Sequence, residues 1–337
     1  MASTLVLLSR GLRASRGSSA FKELTRNITP ACAFKAGVHS SASKPSEYTN
    51  RDHHEDSEPA IQANLKAIRK GEFKSVTNPD AQHFKKPTEQ KNSSGEPIIG
   101  DTALAHPIWS QEEVYDVNIT HKKPVGFIDN FAYLGVQTTR KVFDFLTGYN
   151  RTPSPSNAVW VNRLCFLETV AGVPGMVAAM VRHLESLRRM RRDHGWIHTL
   201  LEEAENERMH LMVFLQIKQP SLLFRLSVMS TQAIFVSGFS IAYLLSPKLC
   251  HRFVGYLEEE AVITYTKLLQ QIEDGGMQDW KTKPASQIAI NYWRLSQEAT
   301  MKDVVLAIRA DEAHHRVVNH TLSSMRHDDY NPYKPGE

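Results

Sequence analysis

Of the fifteen histidines in the chain, only His210 and His315 stand three residues after a glutamate, in Glu207-x-x-His210 and Glu312-x-x-His315. On a helix that step puts both side chains on one face, where they can reach the same or neighbouring metals. Each pair interrupts an apolar stripe: Leu200, Ala204, Leu211 and Phe214 flank the first, Val305 and Ile308 lead into the second, and Asn319 follows it. Charged groups directed into a core need partners or a metal. The chain must therefore form helices that satisfy these groups internally.

Two further glutamates have the same character. Glu168 shares a stripe with Leu164, Ala171 and Gly175. Within the run Glu258, Glu259, Glu260, helical geometry selects Glu258, whose face carries Val254, Ala261, Val262, Tyr265 and Leu269. The order is Glu, Glu-x-x-His, Glu, Glu-x-x-His, the set from which ferritin-like carboxylate proteins build a two-metal site inside four helices. Salt-bridged core glutamates with structural histidines are the bland alternative, but it must account for six polar side chains in four apolar stripes. Cys32, Cys165 and Cys250 form no C-x-x-C pair, which fits a reducing compartment and argues against a thiolate zinc site. Carboxylate and imidazole ligands suit iron or manganese, and iron where oxygen is activated. A pair of such ions is the expected cofactor.

The rest of the chain organises around this set. Residues 1–45 carry seven Arg and Lys against Glu23 alone, are rich in serine, and place Leu5, Leu8 and Leu12 on one helical face, the pattern of a mitochondrial targeting segment. Residues 46–104 read as a polar, largely disordered arm, 105–325 as the helical-bundle domain that carries the ligand set, and 326–337 as a C-terminal tail. After Pro124 the apolar spacing is helical: to about Tyr149, from Trp160 to about Met190 with a kink at Pro174, from Trp196 to before Pro220, from about 222 to 245, from Pro247 to about Ile272, and from about Ala285 to Met325 in one or two pieces. No alternating strand pattern occurs. The expected fold is all-α: a ferritin-like four-helix bundle with additional amphipathic helices at a membrane interface. A charged fraction of 23% and a mean hydropathy of −0.37 argue against a polytopic membrane protein. A net charge of +4, without a basic stripe interleaved with aromatics, gives nucleic-acid binding no support.

At the candidate ligands the sequence resembles the alternative oxidases, the cyanide-insensitive ubiquinol oxidases of mitochondria. The matching strings are Leu167-Glu168-Thr169, Asn206-Glu207-Arg208-Met209-His210-Leu211, Leu257-Glu258-Glu259-Glu260-Ala261 and Arg309-Ala310-Asp311-Glu312-Ala313-His314-His315-Arg316, and the similarity spans about residues 105–325. The resemblance implies a homodimeric enzyme on the matrix face of the mitochondrial inner membrane that oxidises ubiquinol and reduces oxygen to water without pumping protons. It implies that the cofactor is two iron ions, that Glu168, Glu207, His210, Glu258, Glu312 and His315 are their ligands, and that Tyr265 is the tyrosine beside the metals. Asn206 and Asp311 match positions that orient a ligating imidazole. Arg163, Leu167, Glu260 and Thr264 match the quinol pocket, with Arg140, Asp144 and His251 as further members. Plant members carry a regulatory cysteine ahead of the core, whereas this chain has none between Cys32 and Cys165, so control through an intersubunit disulfide is expected to be absent. Plastid quinol oxidases, quinone-precursor hydroxylases and soluble desaturases share the ligand logic, and a non-catalytic iron-binding bundle is an alternative of another class.

A quinol with an isoprenoid tail comes from lipid. Leu226–Leu245 contains 20 residues without a formal charge, enough to span a bilayer. Glu168, Glu207 and His210 precede it while Glu258, Glu312 and His315 follow, so a single crossing would divide the ligands. Helices over about 127–149 and 222–245 are therefore expected to lie in the interface, a monotopic arrangement. The basic run from Arg182 to Arg192 meets either headgroups or water.

Overall fold

A computed structural model describes residues 104–149 and 155–336, together with Lys66. The expected targeting segment and nearly all of the polar arm lie outside the described residues. Among the described residues the structure is helical, with one isolated bridge between Pro284 and Thr300 and no strand.

The helices are α1 (Gln111–Tyr115), α2 (Gly126–Thr147), α3 (Asn157–Ala171), α4 (Val173–Arg189), α5 (Trp196–Leu215), α6 (Leu222–Leu245), α7 (Pro247–Glu273), α8 (Gln287–Trp293) and α9 (Met301–Ser324). Their ends follow local chemistry. Ser110 and Glu113 close a capping box on α1, and Thr300 with Asp303 closes another on α9. Ser246 accepts from the Leu249 N–H while Pro247 occupies the first turn of α7, where a missing N–H costs no hydrogen bond. At the kink expected from Pro174, a one-residue interruption at Gly172, which keeps a right-handed backbone, separates α3 from α4. There Gln232 of α6 donates to the Thr169 carbonyl at 2.6 Å. The final helical stretch is two pieces, because Arg294 turns into the left-handed region at φ 53° and ends α8.

The bundle proper is α3 with α4, α5, α7 and α9. The α7–α9 pair packs most extensively, and α4 and α3 both lie on α5. Two glycines permit this closeness. A Cβ on Gly255 of α7 would stand 2.4 Å from the His320 ring of α9, and one on Gly175 of α4 would stand 2.6 Å from the Leu200 carbonyl of α5. The core between these helices holds Trp160, Trp280, Trp293, Tyr265 and Phe214, all fully buried. Burying each such side chain stabilises the fold by roughly 1.5–3 kcal/mol.

Helices α2 and α6 lie outside the bundle, α2 on α7 and α6 against α4, α7 and α3. Their outer faces are apolar and exposed: Phe127, Phe131, Leu134 and Phe145 on α2, and Leu223, Ile234, Ile241 and Leu245 on α6. Two stretches are long and apolar enough to cross a membrane, Asn157–Arg189 and Leu222–Leu245. The first is half buried in the bundle, whereas only 11% of the second is. Residues after Met325 dock along the start of α5: Asn331 donates to the Gly195 carbonyl and Thr199 hydroxyl, and the Gly336 N–H donates to Glu202.

Candidate metal centre and adjoining cavity

Helices α3, α5, α7 and α9 bring the six candidate ligands together in the interior, all of them buried. Ligand atoms of Glu168, Glu207, His210 and Glu312 lie within 4.8 Å of one another, and so do those of Glu207, Glu258, Glu312 and His315. The two groups share Glu207 and Glu312, one from each Glu-x-x-His pair. Glu207 and Glu312 can therefore reach two neighbouring ions, with Glu168 and His210 on one side and Glu258 and His315 on the other.

The unsatisfied atoms test whether a metal fits. Nδ1 of His315 lies 2.8 Å from Glu207 Oε1, and Nδ1 of His210 lies 3.2 Å from Glu207 Oε2. These contacts are close enough for hydrogen bonds but misaligned for them, and both Nδ1 atoms, both Glu207 oxygens and Glu168 Oε2 remain without a hydrogen bond. Buried polar atoms are seldom left so. Lone pairs aimed at a common space rather than at protons are what metal ligands require.

Without cations, protons must neutralise the cluster. Burial pushes Glu168 up to about 8 despite the His210 imidazole beside it. Glu258 lies well above its usual value through burial and the neighbouring Glu312 and Glu207 carboxylates. Burial also acts to raise Glu207, but His210 and His315 outweigh it and hold this carboxyl below its usual range. Conversely, burial works against the imidazolium of His315, yet Glu207, Glu203 and Glu312 bring it up to about 9.

Asp311 organises one side of the centre. Its Oδ2 accepts from His210 Nε2 at 3.1 Å, Asn206 Nδ2 at 3.0 Å and Trp293 Nε1 at 2.8 Å, while Oδ1 accepts from Trp109 Nε1 at 2.6 Å. The bond to Nε2 fixes the His210 tautomer and leaves Nδ1 facing the other candidate ligands. Asn206 also donates to the Tyr292 hydroxyl at 3.0 Å. On the other side Asn319 donates to Glu203 at 2.8 Å and to the His315 carbonyl at 3.1 Å. Burial raises Glu203 to about 7. Sequence reasoning assigned no role to Trp109, Trp293, Tyr292 or Glu203. Their partners lie on other helices, so no local spacing marks them.

Tyr265 stands between the cluster and a cavity of about 660 Å³. Its hydroxyl donates a short hydrogen bond to Glu168 Oε1, and burial together with Glu168 and Glu312 raises its pKa well above the usual value. Glu168, Glu258, Glu312 and Tyr265 form the inner end of the cavity. Arg140, Arg163, Leu167, Glu260 and Thr264 also line it. Asp144 lies behind them, accepting from Arg163 at 2.5 Å and Arg140 at 3.2 Å, and Arg140 donates to Glu260 at 2.9 Å. His251 is the exception. It faces away from the cavity, buried between the Tyr243 hydroxyl at 3.0 Å and the Asn319 amide oxygen at 3.1 Å, and burial lowers it to about 4. Its neighbours on α7 that do line the cavity are Leu249, Cys250 and Phe253. Cys165 and Cys250 are free, buried thiols whose pKa values burial raises to about 11 and about 12, and Cys32 lies outside the described residues.

Fold and site together define an all-α bundle protein whose buried carboxylates and imidazoles suit a metal centre. The chain belongs to the alternative oxidase family, whose model matches residues 109–324. It is 48% identical over 244 residues to the mitochondrial alternative oxidase of Aspergillus niger, covering 69% of this chain and 70% of that protein. It is 51% identical over 228 residues to that of Trypanosoma brucei brucei, covering 68% and 69% respectively. The similarity to a relative from Cryptococcus neoformans var. grubii is 41% over 280 residues, 77% of this chain and 70% of that one. The chain is thus an oxidoreductase of the alternative oxidase type.

Proposed function

We propose that the protein oxidises ubiquinol and reduces oxygen to water at two iron ions held by Glu168, Glu207, His210, Glu258, Glu312 and His315. The observation that carries this reading is the convergence of two overlapping ligand groups on shared Glu207 and Glu312 at the inner end of an apolar cavity. Four carboxylates with two neutral imidazoles bear four negative charges, which two divalent cations balance. When bound, the irons supply one-electron redox chemistry and Lewis acidity toward oxygen. Two ubiquinols provide the four electrons and four protons that one oxygen molecule needs to become two waters.

The residues divide the remaining work. Arg163 and Arg140, fixed by Asp144 and Glu260, orient the quinol head at the inner end of the cavity. Leu167 and Thr264 pack beside it. Tyr265 passes a proton or hydrogen between the quinol and Glu168, the carboxylate to which it is bonded. Asp311 and Asn206 hold the His210 imidazole in its tautomer. The protein lies on the matrix face of the mitochondrial inner membrane with the apolar faces of α2 and α6 in one leaflet. Supporting this, helices on both sides of α6 in sequence contribute to one cluster, which a single crossing would divide. A second exposed apolar row, Met176, Met180, Leu184 and Leu187 on α4, supports a homodimer.

The test is metal analysis of the purified full chain with ubiquinol-dependent oxygen uptake in cyanide. Two irons per chain and cyanide-resistant uptake are expected. Iron without quinol turnover would support a storage or binding protein instead.

A further inference from the structure

Gly238 is a glycine that the helix around it does not require. It sits in the interior of α6, where glycine costs stability relative to alanine. Its φ is not in the left-handed region, and a Cβ built on it would meet nothing within 4 Å. Neither a turn nor a close helix contact therefore accounts for it, in contrast to Gly175 and Gly255. What Gly238 does is line the cavity that ends at Tyr265, and it does so at the exposed rim.

That rim is formed by two helices that scarcely touch. Phe131 and Gly135 come from α2, Ile234, Gly238 and Ala242 from α6, each set at helical spacing along one face. The charged groups and the tyrosine of the cavity, from Arg140 and Arg163 to Glu260, Tyr265 and Glu312, come from α2, α3, α7 and α9, and the only polar side chain that α6 adds is Thr231. A cavity of about 660 Å³ has room for more than a single ring, and its α6 wall is almost wholly apolar.

We propose that Gly238 is a specificity-determining residue: its missing side chain leaves the groove between α2 and α6 wide enough for the isoprenoid tail of a long-chain quinol while the head occupies the inner end. This rests on the ubiquinol oxidase reading. Filling the groove at Gly238 penalises tails that must cross the rim and spares quinols too short to reach it.

The experiment compares kcat/KM for a ubiquinol with one prenyl unit and for a long-tailed ubiquinol, using the iron-loaded full chain in vesicles. Wild type, Gly238→Ala, Gly238→Phe and the exposed, non-lining Ser237→Phe are measured side by side. Gly238→Phe is expected to lower the ratio of long-tailed to short-tailed kcat/KM by roughly tenfold or more, a size typical of steric discrimination in an apolar pocket. Ser237→Phe leaves that ratio within about twofold of wild type. Since the readout is a ratio, a general loss of folded enzyme does not imitate the effect. An unchanged ratio in Gly238→Phe, or an equal fall in Ser237→Phe, overturns the proposal while the oxidase reading stands. Wild type inactive with both quinols removes that reading and this proposal together.

Discussion

Replacing Asp311 with asparagine tests how much of the centre depends on a residue that is not itself among the six converging side chains. Three donors point at Asp311 Oδ2 and one, from Trp109, at Oδ1. Burial opposes its ionisation, but the bond from His210, the His210 and His315 charges and the bond from Trp109 together hold it below its usual range. An asparagine oriented to keep oxygen toward the three donors presents its NH2 group to the Trp109 indole N–H. Two donors then face each other, at a cost of about 1 kcal/mol or more. The three surviving bonds lose the charge of their acceptor, roughly half the strength of each. Relief from burying a carboxylate offsets part of this, leaving a net loss of about 2–4 kcal/mol. At ~2–4 °C per kcal/mol, the melting temperature should fall by roughly 5–15 °C. Iron affinity should fall by about 10–100-fold, because His210 Nε2–H then donates to a weaker acceptor and Nδ1 becomes a poorer ligand. Thermal unfolding of loaded and stripped protein, with chelator competition, measures both. A melting temperature within about a degree of wild type and unaltered chelator resistance would refute the argument.

Three other outcomes follow from the same geometry. Glu207→Ala or Glu312→Ala removes a ligand from both groups and should abolish bound iron, whereas Glu168→Ala or Glu258→Ala touches one group and should leave about half the metal; equal loss in all four, by elemental analysis, would contradict sharing. Tyr265→Phe deletes only the hydroxyl bonded to Glu168, so iron content should hold while kcat falls by about 10²-fold or more; unchanged turnover would reduce Tyr265 to packing. Metal uptake by stripped protein should tighten as pH rises, because Glu168, raised to about 8, and His315, raised to about 9, carry protons near neutrality that the metal displaces. The slope should exceed one decade of affinity per pH unit near neutrality, because Glu258, also raised well above its usual value, loses a proton together with Glu168 and His315; titrations in buffers of different ionisation heat would reveal the released protons, and pH-independent affinity would contradict it.

Helical period and the cost of burying charge made much of this legible in the sequence. Polar residues in apolar stripes marked Glu168, Glu207, His210, Glu258, Glu312 and His315, and these side chains do converge. Proline marked the end of α5, the start of α7 and the interruption between α3 and α4. Periodicity gives the face of a helix, not the partner across from it. Trp109 reaches Asp311 across 202 residues, so nothing near either residue announces the bond. His251 shows the reverse: a residue matched to the pocket by resemblance points away from the cavity because Tyr243 and Asn319 satisfy both ring nitrogens on the other side of α7. Gly238 was unreadable as well, since its meaning depends on the space beside it.

The account turns on two irons gripped by six inward side chains. Diffraction from crystals of the iron-loaded protein at the iron absorption edge tests it most directly. It should give two adjacent anomalous peaks per chain, with Glu207 and Glu312 each contacting both, Glu168 and His210 on one peak and Glu258 and His315 on the other. A single peak, or peaks away from these six residues, would contradict it.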